Sequence, residues 1–195
     1  MRRLLFAAFA ALLASGAAAH ASPVTYTLTS TFSGSLGVLS FTDATGVFSF
    51  QGDTSSTVNN GGGFYSNTSG LSTFTLSGVG TAVILSPTFG VTANEYDAGF
   101  YDTSTNFGFN DYDPNNPDFY SYALTAPFTD TGFLLGNFGT SELTSLGLLT
   151  INGDFADAAT FTAAGATPEP SSLMLLGTGL LGAVGAARRR FAATR

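Results

Sequence analysis

Between Val24 and Phe32 apolar and hydroxyl residues alternate: Val24, Tyr26, Leu28 and Phe32 fall on one side, Thr25, Thr27, Thr29 and Thr31 on the other. A period of two sends successive side chains to opposite faces of a strand, so this stretch predicts a strand with one buried face. Shorter runs of the same character follow at residues 36–41, 47–50, 73–77, 82–85, 89–93, 119–124, 133–138 and 146–151. The last runs into Asn152-Gly153, a strong two-residue hairpin signal that predicts a return through residues 155–161. Residues 141–146 make one helical turn at most, and nothing else between the two ends of the chain reads as a helix. The expected fold is all-β, a sandwich or jelly-roll-like domain of about nine to eleven short strands, with the choice of topology left open.

Two stretches break the pattern. Residues 55–70 contain Asn59-Asn60-Gly61-Gly62-Gly63 and no sustained period, so they read as a long flexible connector. Residues 94–122 mix Glu95, Asp97, Asp102, Asp111, Asp113 and Asp118 with Tyr96, Tyr101, Tyr112, Tyr120 and Tyr122. Within them Asp111, Asp113 and Asn115 place oxygen ligands at alternate positions, with Asp118 close behind, as in a calcium-binding turn. The EF-hand pattern is broken, because Asn116 stands where its glycine belongs and Tyr122 where its bidentate glutamate belongs. The competing reading is that Asp, Asn and Pro simply form turns. The tyrosines carry a parallel choice between stacking on sugar faces and half-burial with the hydroxyl in water.

The two ends are of another kind. Met1-Arg2-Arg3, an apolar run over residues 4–13 and Ala19-His20-Ala21 form a secretory signal peptide, cleaved after Ala21. Near the other end stands Thr167-Pro168-Glu169-Pro170, then an uncharged apolar run over residues 173–187, then Arg188-Arg189-Arg190. As a helix that run extends only about 22 Å, a short span for a bilayer core of about 30 Å. The three arginines form a cytoplasmic stop, which places Pro168, Glu169 and Pro170 on the outer side of the membrane. The order of Pro-Glu-Pro, short transmembrane helix and arginine cluster resembles the PEP-CTERM sorting tail of exopolysaccharide-producing Gram-negative bacteria. That resemblance implies recognition by the membrane protease-transpeptidase exosortase, removal of the tail and delivery to the cell surface or extracellular matrix. The expected division is a signal peptide at 1–21, an all-β extracellular domain at 22–166 and a sorting tail at 167–195.

Charge narrows the chemistry. The six arginines all lie in the terminal signals, there is no lysine, and the single histidine is His20, so the body between the signals has carboxylates and no base. Without Lys or Arg it has nothing to neutralise phosphates, which argues against nucleic acid as a partner. Without His or Cys it lacks an imidazole base, a thiolate nucleophile and the usual zinc ligands. The spacing Gly-x-Ser-x-Gly is absent as well. A hydrolase would need two carboxylates facing each other in a cleft, a distant third reading. The first expectation is a non-enzymatic surface or matrix protein associated with exopolysaccharide, with no cofactor; the alternative is a glycan-binding module that uses residues 94–122 and calcium. The chain has no cysteine, so stability must come from packing, for which the 16 Phe and 7 Tyr between the two signals supply the material.

Overall fold

The computed structural model describes residues 22–152 and 157–165. The chain divides into two units, Met1–Gly165 and Ala166–Arg195. The second unit lies outside the described residues, as do the signal peptide expected at 1–21 and the apolar run of 173–187. Among the described residues no helix is long and apolar enough to cross a membrane.

The described part of the first unit is all-β. The longest hairpin joins β1 (Pro23–Leu36) to β2 (Leu39–Asp53). Its tip pairs Leu36 with Leu39 across Gly37 and Val38, and Gly37 adopts φ +60°, the sense a two-residue hairpin turn demands of its first residue. Then come β3 (Val58–Gly61), β4 (Phe64–Asn67), β5 (Leu71–Leu76), β6 (Gly80–Val83), β7 (Phe89–Ala93), β8 (Asp97–Asp102) and β9 (Gly108–Tyr112). A 3-10 turn at Pro117–Ser121 precedes β10 (Phe128–Gly136), β11 (Ser141–Thr144), β12 (Gly147–Asn152) and β13 (Ala158–Gly165). These strands form one 13-stranded sheet in the order β3-β4-β7-β8-β9-β10-β13-β1-β2-β5-β6, with β12 pairing both β1 and β11. Every pairing is antiparallel.

One continuous sheet with a single apolar face must double over to bury it. It does so around phenylalanine: the Phe48 ring of β2 lies 6.1 Å from Phe89 of β7, 5.9 Å from Phe100 of β8 and 5.8 Å from Phe109 of β9. The halves β1-β2-β5 and β7-β8-β9 therefore face each other as the layers of a sandwich do, while β10 and β13 carry the hydrogen bonding from one half to the other. Each fully buried Phe contributes about 1.5–3 kcal/mol of transfer free energy. Phe48, Phe50, Phe74, Phe100, Phe107 and Phe161 are all fully buried. The far edge is stitched as well: Ile84, just past β6, bridges Thr144 of β11.

Several expectations change. Gly153 of the hairpin predicted at Asn152-Gly153 lies outside the described residues, but β12 and β13 do not pair with each other: both lie on the same edge of β1 and run in the same direction. Ser33 pairs with Asn152 and Thr29 with Thr160, so the partner side carries a four-residue insertion between the two strands. The free edge of β1 outcompetes the local turn. Residues 141–146 are no helical turn but β11 and its tight turn into β12, where Thr144 pairs with Gly147. Residues 55–70 are no flexible connector: β3 and β4 form a hairpin through Gly61, Gly62 and Gly63, all at positive φ. Residues 119–124 are not a strand but straddle the 3-10 turn, with Phe119 buried. Residues 36–41 hold the β1–β2 turn rather than a strand of their own. Residues 94–122, read as a loop, contain β8 and β9, two strands in the interior of the sheet order.

Candidate functional site

The acid-rich segment is split by the strand period. On β9, Phe109 and Asp111 face the core while Asn110 and Tyr112 face out. Asp111 is fully buried. Its Oδ1 accepts from the Gly132 amide of β10 at 2.7 Å and its Oδ2 from the Phe161 amide of β13 at 3.3 Å. Burial pushes its pKa up to about 7 against those two hydrogen bonds, with Asp130 and Asp113 nearby adding to the rise.

Asp113, Asn115 and Asp118 stay in the turn that follows. Asp113 Oδ1 accepts from the Asn115 amide at 2.8 Å, and Asn116 Oδ1 accepts from the Asp118 amide at 3.0 Å, capping the 3-10 turn. Asn116 also donates through Nδ2 to Asp130 at 2.7 Å. The bonds to the Asn115 and Asp118 amides are Asx-type contacts that shape the chain. Among the described residues no three His, Cys, Asp or Glu side chains gather in a way that could hold a metal ion.

The tyrosines separate in the same way. Tyr122 is buried and stacks on Phe128 at 4.3 Å. Tyr96 and Tyr120 are exposed, with centroids 5.2 Å apart and planes at 74°. Tyr112 lies 6.5 Å from Tyr96 at 58°. These rings form an exposed cluster and not a flat platform. Beside them, on the outer face of β8, β9 and β10, a shallow groove of about 360 Å³ is lined by Tyr101, Gly108, Asn110, Leu135, Gly136 and Asn137. Tyr101 donates its hydroxyl to Asn106 at 2.5 Å, and Asn110 donates through Nδ2 to Asp97 at 3.0 Å. The Asn110 Oδ1 is buried without a hydrogen bond. Exposed Phe133 extends the face on β10. The groove thus offers an aromatic ring, an aliphatic side and two amides, the groups that meet the apolar faces and hydroxyls of a sugar.

Two further carboxyls belong here: Asp102, which the sequence showed only as one acid among those of residues 94–122, and Glu142, which it did not mark. Asp102 shares the inward phase of β8 with Ala98 and Phe100. Glu142 is buried on β11 while its neighbour Leu143 is 56% exposed, the reverse of the usual order. An inward-pointing charge of this kind is a known device for blunting a sheet edge. The sequence signal would have been an acid at an inward position of an alternating run. Burial alone would raise Asp102, but the nearby Ser86 hydroxyl and the hydrogen bonds from Thr88 and Ser104 more than offset it and hold this carboxyl well below the usual range. Glu142 is raised, by burial first and then by the neighbouring Asp102 carboxyl, against a hydrogen bond from Thr105.

Compared with known protein families, residues 166–190 match the PEP-CTERM protein-sorting motif. That span includes Pro168, Glu169, Pro170 and Arg188, Arg189, Arg190, all of which lie outside the described residues. No curated protein and no solved structure matches the chain. The chain carries a PEP-CTERM sorting signal, and such a signal implies an exported protein processed by exosortase.

Proposed function

We propose that the chain is a non-enzymatic protein of the cell surface or extracellular matrix, associated with exopolysaccharide. It crosses the inner membrane, is held there by the apolar run of residues 173–187, and is released from that anchor by exosortase. The observation that carries this reading is the sorting motif at residues 166–190, joined to a β-domain whose stretch between the signals lacks His, Cys, Lys and Arg. Such a domain has carboxylates but no ordinary nucleophile–base pair. The test is cell fractionation in a host that has an exosortase, beside a strain that lacks it. The protein is expected in the surface and exopolysaccharide fraction of the first and in the inner membrane of the second. Equal distribution in the two strains refutes it.

A second reading, favoured by the groove at Tyr101, Asn110 and Asn137, is a glycan-binding module. Isothermal titration with the host's own exopolysaccharide tests it. Tyr101→Ala is expected to weaken binding about tenfold, as the loss of one aromatic contact would. Unchanged affinity in Tyr101→Ala and Asn137→Ala removes the groove from consideration.

A further inference from the structure

We propose that Asp102 and Glu142 form a divalent-cation site, with calcium the cation that fits its donor set. Asp102 is 0% exposed and Glu142 is 1% exposed. They come from β8 and β11, strands that do not pair, and are brought together by adjacent residues of one turn, Ser104 bonding to Asp102 and Thr105 to Glu142. One oxygen of Asp102 is saturated: Oδ1 accepts from Thr88 Oγ1 at 2.6 Å, the Ser104 amide at 2.7 Å and Ser104 Oγ at 2.7 Å. The other, Oδ2, is buried with no hydrogen bond. Glu142 is oriented by the Thr105 hydroxyl, which donates to Oε2 at 2.9 Å, and by the Leu143 amide, which donates to Oε1 at 3.0 Å. Each glutamate oxygen keeps a free lone pair.

Two neighbouring buried carboxylates repel strongly unless a cation or a shared proton joins them. The chain between residues 22 and 170 has no Lys, Arg or His to supply a cation. Any cation that joins them must therefore come from solution. Every side-chain donor around the pair is a hard oxygen: two carboxylates and the hydroxyls of Ser86, Thr88, Ser104 and Thr105. A sphere of hard oxygens completed by water suits calcium and is poor for softer transition metals. Entry is short, because Ser104 and Thr105 belong to the exposed turn between β8 and β9. The site is distinct from Asp113, Asn115 and Asp118, whose contacts shape a turn.

The test uses the purified full-length protein in detergent. At matched ionic strength, calcium chloride should raise the melting temperature above sodium chloride by about 5 °C at a hundredfold excess over Kd. Glu142→Gln should lose that increment while Asp113→Asn keeps it. Calorimetric titration of the unmodified protein, which depends on no variant folding, should show one saturable site. Equal shifts from the two salts, an increment that survives in Glu142→Gln, or the absence of a saturable heat would each overturn the proposal.

Discussion

The Phe48 ring of β2 stacks on that of Phe109 of β9 at 5.8 Å and 18°, although β10, β13 and β1 all lie between the two strands along the hydrogen-bonded order. The contact records the doubling-over of the sheet. Phe48 also meets Phe32, Phe74, Phe89, Phe100 and Phe107. Phe48→Ala should therefore cost about 3–5 kcal/mol, the range for a core Phe that leaves a cavity. Phe133→Ala, at a ring 58% exposed, should stay within about 0.5 kcal/mol. Urea denaturation of the two variants measures the contrast.

Asp111 makes stability depend on pH. Its pKa is about 7 in the folded chain, raised by burial, against about 3.9 for an unperturbed aspartate. Between those values the native state holds a proton that the unfolded chain has released. This contribution is complete below about pH 4 and is lost as pH rises through 7. Asp97, also raised by burial, acts in the same direction. Melting temperatures at constant ionic strength should fall from pH 4 to pH 7. Asp111→Asn should flatten that slope. It should also lower stability at pH 5, because its amide nitrogen would face one of the two backbone N–H groups that the carboxyl accepts.

Gly34 sits where β1 shifts register and meets β12. A Cβ there would lie 2.0 Å from the carbonyl oxygen of Thr150. No side chain can move to relieve that clash, since the obstacle is backbone. Gly34→Ala should cost about 1–3 kcal/mol, as overpacking does, and should loosen β12 first. Hydrogen exchange at the Thr150 and Asn152 amides is the readout.

The surface form should lack the arginine cluster. Gly177, Gly179, Gly182 and Gly185 interrupt the apolar run, and each costs a helix about 1 kcal/mol relative to Ala in water. Such a span suits a transient anchor more than a permanent one. Intact-mass measurement on protein from the surface of a host with an exosortase should give a chain ending near Pro168-Glu169-Pro170. A main species that retains Arg188, Arg189 and Arg190 would contradict this.

The parts legible in the sequence are those where one face of a strand is buried. On β1 the alternation of Val24, Tyr26, Leu28 and Phe32 with threonines is visible because the inward positions are fully apolar. On β3 every residue from Val58 to Gly61 is exposed, so no period exists to be read and only the glycines betray the hairpin. Asn152-Gly153 misled because turn propensity is local, whereas the vacant edge of β1 is a property of residues more than a hundred positions away. The candidate site was legible in composition but not in geometry. Acids at 102 and 111 look alike in a list, yet one meets Glu142 and the other meets two backbone amides. The partner of Asp102 comes from β11, whose buried Glu142 and exposed Leu143 invert the rule by which strands are recognised.

The two strands nearest the boundaries of the described domain lie side by side: Val24 pairs with Gly165, and the pairing continues to Thr29 with Thr160. The tip at Gly37 and Val38 is at the other end of β1. This arrangement sets how the domain bears tension. A pull between the Gly165 end and that distant tip runs along the strands and loads all the β1–β13 hydrogen bonds together in shear. A pull between the two neighbouring termini would peel the same bonds one at a time. A protein tethered through its C-terminal side and gripped at its far tip would hold against drag, while one seized by both ends would unzip from β13.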